Sequence, residues 1–69
     1  MGFKLFDLVT LNASDADRGI VAGTVGTIVD IYPDGEFEIE FANKNGETTA
    51  MFAVSPDQVR VIEPILQAA

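Results

Sequence analysis

The fold is decided by residues 24–54, TVGTIVDIYPDGEFEIEFANKNGETTAMFAV. Runs of β-branched and aromatic residues are separated there by two turn signals, Pro33-Asp34-Gly35 and Asn45-Gly46. Proline presets φ for a turn and glycine supplies a positive φ. Asn-Gly is a strong hairpin signal, because a type I′ turn needs a positive φ at both central positions. The stretch predicts three antiparallel strands: 24–32, 36–41 and 47–54.

Alternation in the middle strand sets the register of the first hairpin. Its two faces are Phe37, Ile39 and Phe41 on one side and Glu36, Glu38 and Glu40 on the other. A three-residue loop at 33–35 places Ile31 and Val29 opposite the apolar face, whereas a two-residue loop places them opposite glutamates. A slip of one residue turns every side chain to the other face of a sheet. We therefore expect the three-residue loop, with Ile28, Asp30 and Tyr32 pointing away from the core.

The second hairpin extends this register to the third strand of the stretch. Across Asn45-Gly46 the expected pairs are Phe41 with Ala50, Ile39 with Phe52, and Phe37 with Val54. Met51 and Ala53 are then left on the outer face. The predicted core is Val9, Val29, Ile31, Phe37, Ile39, Phe41 and Phe52.

Outside residues 24–54, shorter signals complete the chain. Residues 5–11 predict a first strand with Val9 and Leu11 in the core, and residues 12–23 predict a long ordered loop. A helix over 13–18 is conceivable but too short to be stable alone. The segment from Ser55 to Val59 resembles one 3₁₀ turn capped by Ser55. Residues 60–62 predict a fifth strand, which Pro64 ends before an apolar tail.

These elements predict a single all-β domain over residues 1–69. The layout is that of a small five-stranded SH3-like barrel, with a long first loop and a 3₁₀ turn before the last strand. The barrel is expected to span about residues 5–62, with residues 63–69 as the tail. The alternative is a five-stranded oligonucleotide-binding barrel. That fold usually has a helix between strands three and four, where this chain has only Asn45-Gly46.

The composition indicates the cellular compartment in which we expect the protein. The chain has 69 residues and no cysteine, and small secreted domains usually rely on disulfides. Residues 1–11 are interrupted by Lys4 and Asp7 and do not resemble a signal peptide. No stretch approaches the ~20 apolar residues that span a bilayer. We expect a cytoplasmic protein. Its 48% hydrophobic content is slightly more than one small core needs, which favours some apolar surface for a partner or a second copy.

The charge is strongly acidic. The chain has eleven acidic residues and only four cationic ones, Lys4, Arg18, Lys44 and Arg60, which gives a formal net charge of -7. Nucleic-acid affinity depends on Lys and Arg that neutralise phosphates, so nucleic acid and anionic membranes are disfavoured. The charge is interpreted first as a contribution to solubility, and a basic partner is the alternative.

No catalytic site is predicted. The chain lacks His and Cys, so the usual Ser-His and Cys-His nucleophile arrangements are excluded. Asp15 and Asp17 alternate as at the start of a calcium loop, but the glycine and the acid that should follow are missing. The carboxylates at Glu36, Glu38 and Glu40 are interpreted as a solvated strand face that discourages edge pairing. We expect no metal and no cofactor.

The outer face of the predicted sheet is the candidate partner-binding surface. Apolar and acidic side chains are interleaved on it, as at the edge of a protein interface. Two interpretations remain open, since the face is either a docking surface or is covered by the 12–23 loop or the C-terminal tail. Its residues are Ile28, Asp30, Tyr32, Glu36, Glu38, Glu40 and Met51.

A family resemblance supports the fold. Asp7-Leu8-Val9-Thr10-Leu11, the segment Gly23–Ile31, the Tyr32–Gly35 turn and the strand Glu36–Phe41 resemble a family of small bacterial proteins catalogued only as a domain of unknown function. The segment Gly23–Ile31 is also similar to the KOW motif of ribosomal and transcription-elongation proteins. Both resemblances imply an SH3-like barrel. KOW domains carry cations around these glycines, where this chain has only Arg18 nearby.

The sequence leaves three functional hypotheses. The leading hypothesis is a non-enzymatic protein-interaction module: an accessory, inhibitory or immunity- or antitoxin-type partner, or a homo-oligomer. The alternative is a KOW-like domain that binds nucleic acid or associates with the ribosome, which the charge disfavours. An enzyme or metal protein built on the acidic strand face ranks lowest.

Overall fold

The computed structural model describes residues 2–62, and these form an all-β fold. One open antiparallel sheet has the strand order β4-β3-β2-β1-β5. A single 3₁₀ turn precedes the last strand, as predicted, and no α-helix forms within residues 2–62. The predicted tail at 63–69 lies outside the described residues. The elements are β1 Leu8–Leu11, β2 Val25–Ile31, β3 Phe37–Ala42, β4 Thr48–Val54, the 3₁₀ turn Pro56–Gln58 and β5 Val59–Val61.

The hairpin of β3 and β4 has the predicted register from Phe37 to Phe41, and the register then shifts between Phe41 and Ala42, so that Ala42 pairs with Thr48. Ile39 pairs with Phe52, and the outer pair beside it is Glu40 with Met51. The turn differs from the prediction, because Gly46 has a φ of 83° while Asn45 is not among the positive-φ residues. The loop has three residues, 44–46, closed by Asn43 N–H donating to Glu47 O at 2.9 Å. The Asn43 side-chain oxygen accepts the N–H groups of Asn45 and Glu47, so a single left-handed glycine suffices and the type I′ prediction is wrong.

The hairpin of β2 and β3 has the predicted three-residue loop. Tyr32 N–H donates to Glu36 O at 2.8 Å, and Gly35 N–H donates to Tyr32 O at 2.9 Å. Gly35 has a φ of 93°, which glycine adopts without a steric penalty. Beyond the loop, Ile31 pairs with Phe37 as predicted.

A β-bulge in β2 overturns the rest of the predicted register. The pairing shifts between Ile28 and Asp30, so that Ile28, not Val29, lies opposite Ile39. Ile28 is fully buried, and its predicted place on the outer face is wrong. Val29 is half-buried and Ile31 is 38% exposed, so neither belongs to the buried core. A bulge sets two residues of one strand against one of its partner, which reverses the inside and outside positions on one side of it.

The core lies on the inner face of the sheet. Val9, Phe37, Ile39 and Phe41 are buried as predicted, and Phe52 is half-buried against them. The complete set of buried hydrophobic residues in the described chain is Val9, Leu11, Ile20, Ile28, Phe37, Ile39, Phe41, Val54 and Val59. The 12–23 loop therefore contributes Ile20 to the core.

Candidate functional site

The outer face of β2, β3 and β4 retains six of the seven candidate residues. We call these six the acidic face: Asp30, Tyr32, Glu36, Glu38, Glu40 and Met51. Asp30 is exposed and the three glutamates are half-buried. Tyr32 is 37% exposed and Met51 is 55% exposed. β2, β3 and β4 contain no Lys or Arg. The acids of this face therefore lie beside two large apolar side chains, and no cation on these strands neutralises them.

Two hydroxyl groups hold two of the four carboxylates of the acidic face, those of Glu38 and Glu40. Tyr32 Oη donates to Glu38 Oε1 at 2.7 Å, and the Thr48 hydroxyl donates to Glu40. The hydrogen bond to Glu38 raises the pKa of the Tyr32 phenol, and the nearby negative charges of Glu38 and Asp30 add to this. The carboxylates are thus oriented by neighbouring side chains on the sheet surface.

Leu8 replaces Ile28 as an apolar neighbour of the acidic face. It pairs with Thr27, which pairs with Glu40, which pairs with Met51. Paired residues share a face of a sheet, so this row crosses four strands. Leu8 was not predicted at this surface, although a signal was present in the sequence: Leu8 precedes the buried Val9 in β1, and alternation turns it to the outer face.

A groove that was not predicted from the sequence lies beside the acidic face. One wall is residues 12–18 of the first loop, and the other is residues 52–54 of β4 with Asp57 and Gln58 of the 3₁₀ turn. Its volume is about 660 Å³. The groove depends on contacts between segments far apart in sequence, which local patterns do not reveal.

Hydrogen bonds hold the loop wall of the groove in place. Asp15 and Ile20 exchange two backbone hydrogen bonds, at 2.8 and 3.0 Å. The Asn12 side-chain amide donates to Asp57 O at 2.9 Å, and Asn12 N–H donates to Gln58 O. Ser14 Oγ accepts the N–H of Ala22. The conceivable helix over 13–18 is replaced by this ordered, non-helical loop.

Arg18 bridges the two walls of the groove. Its guanidinium carbon lies 4.1 Å from the centroid of the Phe52 ring, within the range of a cation–π interaction. Its Nη1 lies 2.6 Å from Asp15 Oδ2. The hydrogen bond from Arg18 holds the pKa of the Asp15 carboxyl below its ordinary value. Within the groove, the chain's own Arg18 guanidinium is therefore held between an aromatic ring and a carboxylate.

Within residues 2–62, the acidic side chains form no group of three or more that could hold a metal ion. Asp15, the start of the apparent calcium-loop pattern, is hydrogen-bonded to Arg18. In the same part of the chain, no helix is long and apolar enough to cross a membrane.

Comparisons with known proteins place the chain in a family but give it no named relative. No curated protein and no solved structure matches it. Residues 5–61, most of the chain, match one protein family, in agreement with the resemblance of the strand and turn motifs. The chain belongs to the family described as a domain of unknown function (DUF4926).

Proposed function

We propose that this chain is a non-enzymatic protein-interaction module that binds a basic protein through its acidic face. The observation that carries the proposal is the placement of exposed Tyr32 and Met51 among oriented carboxylates on strands that have no Lys or Arg. Tyrosine and methionine are enriched at protein interfaces, and aromatic anchors often dominate interface energy.

Charge complementarity argues for a basic partner. Two of the four cations pair with acids of their own turns, Lys4 with Asp7 at 3.1 Å and Arg18 with Asp15 at 2.6 Å. The acids of the acidic face thus retain their negative field. Such a field speeds association with a basic surface and selects against acidic partners. The acidic face is an open sheet surface, which suits docking better than the enclosed geometry of a catalytic site.

The proposal includes an SH3-like barrel as the fold. The strand order, the long first loop, the 3₁₀ turn before β5 and the bulge in β2 support it, because bulges curve a sheet toward closure. The family resemblance implies the same barrel and a bacterial source, and the absence of cysteine supports a cytoplasmic setting.

The test is affinity capture from a lysate of the native host, with the captured proteins identified by mass spectrometry after RNase treatment. We expect the wild-type chain to retain a basic protein. The variant Glu38→Gln/Glu40→Gln should lose most of it, since the steering charges are removed, and Tyr32→Ser/Met51→Ser should lose it through the missing anchors. Both variants should unfold at nearly the wild-type temperature.

A charge-matched control separates the acidic face from net charge. Val21→Lys/Thr24→Lys also raises the formal charge by two, at exposed positions outside the acidic face, and should retain the partner. If this control lost as much of the captured partner as Glu38→Gln/Glu40→Gln does, the loss would be explained by net charge alone. Three other results would overturn the proposal. The capture of the partner could depend on RNA and be lost after RNase treatment, or both acidic-face variants could retain the partner fully. The third is that Tyr32→Ser/Met51→Ser abolishes self-association of the chain and no other interaction.

A further inference from the structure

The groove between the first loop and β4 adjoins the acidic face. Ala53 connects the two surfaces, since it lines the groove and pairs with Glu38 of the acidic face on the outer side of the sheet. A segment lying over Glu38 therefore reaches the groove by crossing a single strand. The groove volume of about 660 Å³ falls within the range of pockets that hold ligands.

The position of Arg18 indicates which chemistry the groove accepts. Its guanidinium, the charged group of a half-exposed side chain, lies on the Phe52 ring and contacts Asp15. Asp17 and Asp57 also line the groove, and neither forms a salt bridge with a Lys or Arg among residues 2–62. The groove thus combines an aromatic surface with more carboxylates than its own cation neutralises.

We infer that this groove binds an extended segment of the basic partner and places one of its arginine or lysine side chains beside Phe52, Asp17 and Asp57. Arg18 then acts as an internal competitor, because it covers the ring and the Asp15 carboxylate that an incoming cation would contact. This inference rests on the proposed function, since it names the segment of the basic protein that the acidic face attracts.

The test uses a fluorescein-labelled octapeptide of alternating arginine and glycine, with a citrulline-for-arginine peptide as the uncharged control. Binding to the wild-type chain and its variants is measured by fluorescence anisotropy at low and physiological salt. Backbone amide shifts in ¹⁵N-labelled protein locate the peptide. We expect the arginine peptide alone to bind, and the amides of residues 12–18 and 52–54 to shift.

Two groove variants should change affinity in opposite directions. Arg18→Ala uncovers Phe52 and Asp15, and binding should become about two- to fivefold tighter, as expected for one exposed cation–π contact. Asp17→Asn/Asp57→Asn removes the uncompensated carboxylates, and binding should become about two- to tenfold weaker. Both variants change exposed groups, and the thermal midpoint should show that they remain folded.

Charge-matched controls exclude a general electrostatic effect. Lys44→Ala changes the net charge as Arg18→Ala does, and Asp34→Asn/Glu47→Gln matches the groove double variant. All three control positions are exposed turn residues outside the groove lining. The inference is overturned if each control has the same effect as its groove variant, if Arg18→Ala weakens binding, or if both peptides bind equally or not at all.

The acidic-face variant Glu38→Gln/Glu40→Gln, measured in parallel, separates the two proposals. If it weakens peptide binding while the groove variants do nothing, the inference fails and the acidic face stands. If the groove variants act and the native partner is still captured by the acidic-face variants, the groove stands and the proposed role of the acidic face fails.

Discussion

β3 meets its two neighbouring strands in different ways. Toward β4 it keeps one register from Phe37 to Phe41, with each inner residue opposite an inner residue, and the register shifts only at the end of the strand, between Phe41 and Ala42. Toward β2 the register shifts between Ile28 and Asp30. Because β3 is common to both sides, the difference lies in β2, where the consecutive aliphatic residues Ile28 and Val29 are similar in size and either fits opposite Ile39. Two such adjacent residues leave a choice of which one is buried.

The bulge resolves that choice in favour of Ile28. Ile28 is opposite Ile39, and both are fully buried at the centre of the core. Val29 is the extra residue of β2, and Ile31 lies beyond the shift at the margin of the sheet with 38% exposure. The two isoleucines of β2 should therefore differ sharply in their contribution to stability.

The largest expected effect is that of Ile28→Ala. Removing a fully buried isoleucine side chain leaves a cavity and should cost about 2–5 kcal/mol of the free energy of unfolding, measured by urea denaturation. Ile31→Ala, the matched control, should cost about 1 kcal/mol. Ile39→Ala should resemble Ile28→Ala. If Ile31→Ala were the more destabilising of the two β2 variants, β2 would have the uninterrupted register and the bulge would be misplaced.

The sequence was sufficient wherever a single pattern acted alone. The strict alternation of Phe37, Ile39 and Phe41 predicted their burial, and the same alternation selected the three-residue loop at Pro33–Gly35 over a two-residue loop. The prediction failed where a local signal had two solutions: Asn45-Gly46 fits a type I′ turn, but the Asn43 side chain stabilises a three-residue loop instead.

The candidate sites divide in the same way. All six positions of the acidic face follow from alternation and from the positions of the two turns, and of the seven candidates only Ile28 was displaced by the bulge. The groove was missed because its walls are residues 12–18 on one side and residues 52–54, 57 and 58 on the other, which come together only after folding. The contact of Arg18 with Phe52 joins positions 34 residues apart, and no local pattern in the sequence indicates it.

A smaller effect is expected for Gly26→Ala, in the half of β2 that precedes the bulge. A Cβ atom at Gly26 would lie 2.9 Å from the Phe41 ring and 3.1 Å from Glu40 O, so the glycine makes room for the ring against the strand. Overpacking of this kind should cost about 1–3 kcal/mol. In a Phe41→Leu background the smaller side chain relieves the clash, and the added cost of Gly26→Ala should fall. Strict additivity of the two changes would show that the ring does not contact β2 there.

The smallest expected effect concerns Tyr32, which follows the bulge. It is the only tyrosine and the chain has no tryptophan, so absorbance at alkaline pH reports its phenol alone. The hydrogen bond to Glu38 raises the pKa of Tyr32 above 10.0. The folded state thus holds the phenol proton more tightly than the unfolded state, and this contribution to stability is present below pH ~10 and is lost as pH rises through the folded pKa. Glu38→Ala should lower the pKa of Tyr32, whereas Glu36→Ala should leave it nearly unchanged. If the pKa of Tyr32 were the same in the folded wild-type chain as in the chain unfolded in urea, the hydrogen bond between Tyr32 and Glu38 would be contradicted. Tyr32 would then not be held in place on the acidic face.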